Sequence, residues 1–364
     1  MTSQGAPGHP YRRLPRSAFW RQMVGQGTAI DPLVEGGFLK LGREDKVATA
    51  GSCFAQNIAR YLKRSGFHYL VSESAHPILP PGIGERHGYG LYSARYGNIY
   101  TARQLLQLFD RAYGQFSPVE AIWDAPGGEG RVVDAFRPTI EPTGFASEAE
   151  LLADRAHHFA KVREMFETLD IFVFTLGLTE GWESRIDGAV YPVCPGVAGG
   201  TFDPERHAFH NFRVGEITAD LAAFIARLRG VNPGARIILT VSPVPLVATA
   251  SGNHVLAATT YSKSVLRAAA QEIAEDHPGI YYFPSYEVIS GAPAAARYFA
   301  ADMRNVTEEG VAHVMAVFLR HAAGVDLPTP AAAPAGETAD ETLAAAREWV
   351  EVMCDEALLD PGDD

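Results

Sequence analysis

Along most of this chain of 364 residues, short unbroken apolar runs alternate with longer stretches whose apolar residues recur every three or four positions. The first pattern suits strands covered on both faces, and the second suits amphipathic helices. Residues 46–50 read as a buried strand that ends at Gly51. Residues 53–64 then read as a helix with Phe54, Ile58, Tyr61 and Leu62 on one face, stopped by Gly66. A second strand is predicted over 68–71 and a long Pro/Gly/His-rich loop over 72–97. A helix over 101–113 has Thr101 as its N-cap, and one over 147–168 opens with Ser147 and Glu150 spaced as a capping box. Residues 170–175 (DIFVFT) and 236–241 (RIILTV) read as central strands, and 280–283 (IYYF) as another. Further helices are predicted over 214–229, 261–274 and 307–321. Hairpins are predicted over 121–136, turning at Pro126-Gly127-Gly128, and over 182–193, turning at Asp187-Gly188.

This alternation predicts an α/β fold of three α/β/α layers, with a mainly parallel sheet and hairpin insertions. In such sheets, chemistry sits beyond the strand C-termini. Here those segments are Gly51-Ser52, Gly177-Leu178-Thr179-Glu180, Ser242-Pro243 and Pro284-Ser285, which should converge on one edge. The chain divides into an irregular leader (1–38), the α/β domain (39–324), a Pro/Ala linker (325–336) and an acidic amphipathic helix (337–364). That helix would dock on its own domain or, in a homo-oligomer, on a partner subunit.

Bulk properties narrow the classes. Apolar content of 47% and charged content of 20% are ordinary for a globular protein. A net charge of −12 argues against nonspecific binding to nucleic acid or anionic membranes. No apolar run is long enough for a transmembrane helix, and the first residues do not read as a secretory signal. The three cysteines form neither a disulfide framework nor a zinc pattern, so a reducing cytoplasm is the expected setting. No metal and no cofactor are expected, because no phosphate loop, dinucleotide fingerprint, HExxH or EF-hand pattern occurs. A nucleotide-binding reading has no loop to support it.

Ser52 carries the chemistry that spacing suggests. Between a buried strand and a helix, its hydroxyl can point outward while the helix N-terminus offers N–H groups and a positive dipole to an oxyanion. The bland alternative is that Ser52 caps the helix. Cys53 could instead be the nucleophile, although its side chain is expected to turn inward and leave Ser52 the exposed place. Glu180 is either an accessory acid–base group or a helix-start charge. Lys263 either binds a substrate anion or is simply solvated.

The segment Gly51-Ser52-Cys53-Phe54-Ala55 is the signature of the GSCFA family, and the resemblance continues through 96–101, 175–177, 240–244, 261–264, 282–287 and 302–304, covering about 36–321. That family is similar to the SGNH (GDSL-like) hydrolases, which implies a flavodoxin-like sheet and a serine nucleophile. By resemblance Ser52 is the nucleophile, Gly97 and Gly177 fall in the blocks that supply oxyanion and substrate contacts, and Asp302 opens the last block. Two departures stand out. Thr179 stands where an oxyanion Asn is expected, with Asn98 as a substitute amide. Asn305 stands where the base His is expected, and an amide cannot accept a proton at neutral pH. His254 is the first candidate to replace that base, then His210 and His76, while His313 sits within the last helix.

The resemblance thus implies a serine esterase or O-acyltransferase acting on a small-molecule or carbohydrate ester, with an acylated carbohydrate or envelope glycoconjugate as the substrate class. The missing base keeps open a catalytically degenerate glycan-binding or scaffold protein on the same frame.

Overall fold

The computed structural model describes residues 9–24, 33–34, 38–128, 130–294, 296–325 and 358–359. The first elements are a short helix α1 (Trp20–Met23), strand β1 (Val47–Gly51) and helices α2 (Phe54–Arg64), α3 (Pro81–Arg86) and α4 (Ala102–Ala112). A hairpin of β2 (Ile122–Asp124) and β3 (Val132–Asp134) leads to helix α5 (Glu148–Thr168) and strand β4 (Ile171–Leu176). Strands β5 (Glu180–Ser184), β6 (Val190–Tyr191) and β7 (His207–Asn211) precede helix α6 (Val214–Val231). The chain continues through β8 (Arg236–Val241), α7 (Val255–Asp276), β9 (Ile280–Phe283), α8 (Ser285–Ser290) and α9 (Glu308–Ala323).

The central sheet has four parallel strands in the order β1-β4-β8-β9. Side chains alternate across it. Ala48, Ala50, Phe172, Phe174, Ile237 and Leu239 pack with α4, α5, α6 and α7, while Val47, Ile171, Val173, Ile238 and Phe283 pack with α2, α8 and α9. Apolar residues on both faces of each strand are the reason these segments read as continuous hydrophobic runs. The expected three-layer α/β/α architecture is the observed one. No helix of the described residues is long and apolar enough to cross a membrane. The linker from 326 and the C-terminal helix, apart from 358–359, lie outside the described residues.

Several local expectations are revised. Residues 68–71 make only an isolated parallel bridge between Tyr69 and Val47. The ladder ends because, after Leu70 N–H reaches Val47 O, the Ser72 N–H turns to Ser93 O. The loop over 72–97 contains α3. Helix α7 begins six residues before the predicted 261; its first turn, with Val255 and Leu256 exposed, shows no apolar stripe to read. The second hairpin gains β7 and becomes a three-stranded sheet in the order β6-β5-β7. Thr101 caps α4 in a full capping box with Gln104. Ser147 accepts from Glu150 N–H as expected, but the Glu150 carboxylate returns to Ala146 N–H instead of Ser147.

The β2–β3 hairpin is fastened to α5 by a buried charge network that sequence patterning does not reveal. Asp134 accepts from Arg137 and Arg155, each at 3.1 Å. Asp154 joins Arg137 and Arg95, each at 2.8 Å. Glu73 accepts from the Arg95 backbone N–H at 2.8 Å and pairs with His158 Nδ1 at 2.7 Å. Burial would raise the Asp134 carboxyl, but the surrounding guanidinium groups outweigh it and hold it well below the usual range. Burial, reinforced by Arg137, pushes His158 down to about 4, so at neutral pH its Nδ1–H donates to ionised Glu73.

A pH dependence of stability follows. The unfolded chain protonates His158 near pH 6.5, whereas the folded chain resists until about 4. The unfolded state therefore binds more protons across that interval, and stability falls as pH drops from about 6.5 to about 4. Urea denaturation should show a loss on the order of 3 kcal/mol, flattened by that amount in His158→Gln. Parallel profiles for the two proteins would mean that His158 is not held neutral by its surroundings.

Candidate active site

The end of β1 is shaped by a close backbone approach. Gly51 has φ +140°, and a Cβ there would lie 2.4 Å from the Thr175 carbonyl oxygen on β4. Only glycine supplies both the conformation and the room. The chain then turns into α2, with Ala55 N–H donating to Ser52 O at 2.8 Å, so Ser52 stands at the strand-to-helix junction. Gly51 O also accepts from Ile99 N–H at 2.9 Å, which brings 97–100 alongside. Tyr100 O in turn accepts from Gly177 N–H at 3.0 Å and Leu178 N–H at 3.2 Å. Gly177 fits tightly there, since a Cβ would meet Ser52 Cβ and Tyr100 at 3.2 Å.

Ser52 is 4% exposed, and its Oγ is buried with no hydrogen-bond partner. Helix α2 has no side-chain cap, so the alternative in which Ser52 caps it is not met. A buried hydroxyl without a partner costs about 1–3 kcal/mol, a penalty that calls for an explanation. The hydroxyl borders a cavity of about 10 Å³, near the lower limit for one water, lined by Ser52, Cys53, Tyr100, Gly177, Leu178, Ser242, Val244, Pro245, Leu246 and Lys263. Three of the four strand-end segments line this cavity. Pro284-Ser285 lies at the same sheet edge, with the Ser285 hydroxyl bonded to Thr240 and the Val241 carbonyl, but does not line it.

Two expectations about exposure are reversed. Cys53, not Ser52, is the more accessible of the pair: Cys53 is half-buried. Lys263 is not solvated. It is 2% exposed, and its Nζ donates to Gly177 O at 2.5 Å. Its place on α7 explains the burial, as the helix lays this residue toward the sheet edge beside Ser262, whose hydroxyl accepts from Thr179 N–H at 3.0 Å.

The other expected site residues are occupied elsewhere. Thr179 is buried and donates its hydroxyl to Asn211 Oδ1 at 2.7 Å, so it does not offer a donor at the Ser52 cavity. Asn98 accepts from Tyr92 at 2.5 Å and borders a separate cavity beside Arg137 and His158. Gly97, in the left-handed region at φ +68°, turns the chain toward Ile99 but does not line the Ser52 cavity. Glu180 accepts from Thr249 Oγ1 at 2.6 Å and from Ala250 N–H at 3.4 Å, tying the segment after β8 to β5. Burial raises its carboxyl.

None of the histidines lines the Ser52 cavity. His254 is exposed and caps α7, its Nδ1 accepting from Leu256 N–H at 3.2 Å. His210 sits between carboxylates, 3.1 Å from Glu183 and 2.9 Å from Glu216. His76 is exposed and accepts from Ile78 N–H. His313 pairs with Tyr298 at 2.6 Å. Asp302 folds onto its own turn, accepting from Arg304 and Asn305 N–H at 3.0 Å and from the Asn305 side chain at 2.5 Å. Burial would raise its carboxyl, but those donors outweigh it and hold it below the usual range. The Asp302 carboxylate is therefore satisfied within its own turn.

Gly51→Ala should cost about 3 kcal/mol or more in urea denaturation, since the new methyl meets backbone rather than a flexible side chain. A loss below about 0.5 kcal/mol would show that the β1–β4 approach is not the constraint described.

Comparison with known proteins adds the lineage. No curated protein matches the chain. The model of the GSCFA family matches residues 46–318, well over half of the sequence and all of the central sheet. On that match, the chain belongs to the GSCFA family.

Proposed function

We propose that this protein is a serine-dependent acyl-transfer enzyme, an esterase or O-acyltransferase, in which Ser52 Oγ attacks the carbonyl of an ester. The observation that carries this reading is the Ser52 hydroxyl itself: buried, unpartnered, beside a cavity, and not used as a helix cap. Its setting suits the chemistry. The positive end of α2 lies next to the hydroxyl and favours developing negative charge. The Ser52 N–H donates to Thr175 O in a long bond of 3.4 Å, a weak partner that an oxyanion would displace.

A cavity of about 10 Å³ holds no acyl group, so catalysis requires its lining to open, and Val244-Pro245-Leu246, the loop part of that lining, is the segment expected to move. The substrate class we infer, an acylated carbohydrate or envelope glycoconjugate, rests on the likeness to SGNH hydrolases. So does the small-molecule ester as a surrogate.

A second reading is a glycan-binding or scaffold protein without turnover. It is favoured by the Asp302-to-Asn305 turn, in which the amide replaces a base and satisfies the carboxylate that would orient one.

Short-chain aryl esters separate the two. The acyl-transfer reading expects turnover with an initial burst, reduced at least about 1,000-fold in Ser52→Ala. Equal rates in the two proteins would remove Ser52 from the mechanism. Glycan binding with no burst from any ester would favour the scaffold.

A further inference from the structure

Among the described residues, one basic side chain lines the Ser52 cavity, and it arrives from an element distant in sequence. Lys263 projects from α7 to the strand ends, is almost wholly buried, and holds Gly177 O at 2.5 Å. Gly177 is also the residue against which Ser52 packs, since a Cβ there would touch Ser52 Cβ. The amine and the hydroxyl therefore flank the same glycine and open onto the same cavity. The histidines and the Asp302 turn are engaged elsewhere, as described above.

We propose that Lys263 is the general base for Ser52, forming a Ser–Lys couple in place of the Ser–His relay that Asn305 forecloses. This rests on the acyl-transfer reading and deepens it. A neutral amine carries two hydrogens and one lone pair, so it can donate to Gly177 O while accepting the Ser52 proton. In the first step the Ser52 proton passes to Nζ, the Oγ–C bond forms, and the carbonyl π pair moves to oxygen. On collapse the ester C–O bond breaks, and the ammonium returns its proton to the leaving alkoxide. An acceptor hydroxyl, from water or an alcohol, then gives its proton to Nζ and attacks the acyl carbon. Ser52 leaves and regains a proton from the ammonium, which closes the cycle. In this closed form Ser52 Oγ has no hydrogen-bond partner, so the proton path completes as the cavity opens to substrate.

Labelling with an alkyl fluorophosphonate, mapped by peptide mass spectrometry, tests the assignment. Wild type should be modified at Ser52. Lys263→Arg keeps a donor for Gly177 O but cannot accept a proton, and Lys263→Met removes both functions. A base role predicts that both label about 100-fold or more slowly while Lys263→Arg melts near wild type. Labelling of folded Lys263→Arg at the wild-type rate would overturn the base role and leave the nucleophile intact. No labelling of wild-type Ser52 would overturn nucleophile and base together.

Should both variants unfold, the wild-type pH profile decides. The titratable groups lining the cavity are Lys263 of α7, Cys53 at the β1–α2 junction and Tyr100 ahead of α4. A labelling rate that rises with pH and levels off, unchanged in Cys53→Ala and in Tyr100→Phe, supports Lys263. A rate flat between about pH 6 and about pH 10, or a rise abolished in either variant, overturns it.

Discussion

The approach of Gly51 to the Thr175 carbonyl is the constraint on which the site depends. With the two backbones this close, β1 must end where it does, and the next residue must turn away from β4 into α2. That turn delivers Ser52 to the sheet edge. Gly177, held by Tyr100 O, then closes over it from the neighbouring strand. Two glycines thus do geometrically what no side chain could, since each removes a Cβ from a space already filled by its neighbours. The local signature is legible physically: the glycine is needed for the approach, the serine for the junction, and Phe54 and Ala55 for packing the helix that follows.

At this sheet edge the Ser52 hydroxyl is enclosed beside a small cavity. The hydroxyl meets neither solvent nor a partner, and Val244-Pro245-Leu246 lines the cavity beside it. The bond pair from Glu180 to Thr249 and Ala250 fastens the chain just beyond that segment to β5. A buried hydroxyl without a partner costs free energy that a hydrogen-bonding partner entering the cavity would recover. The buried amine of Lys263 belongs to this same arrangement, holding the carbonyl of the glycine against which Ser52 packs.

Most of the architecture was legible in the sequence. The three central apolar runs became β4, β8 and β9, because strands buried on both faces need continuous apolar residues. Caps at Thr101 and Ser147 marked helix starts. What escaped was stabilised by contacts with no local signal. Strand β7 exists because His207–Asn211 finds β5, not because its own alternation is strong. The first turn of α7 is held by a His254 cap that sits outside the apolar stripe. At the site, the strand-end rule located Ser52, Gly177 and Ser242. The depth of Lys263 and the commitment of Thr179 to Asn211 depend on long-range packing that no spacing encodes.

In the function we propose, Ser52 Oγ is the reactive atom of a site formed by β1, β4 and α7. The most direct measurement is a crystal structure of the protein after reaction with a fluorophosphonate. The phosphorus should be bonded to Ser52 Oγ, with one phosphoryl oxygen facing the Ser52 N–H and the Val244–Leu246 segment displaced. An adduct on Cys53 or Tyr100, or an unmodified Ser52 beside an unmoved segment, would contradict that function.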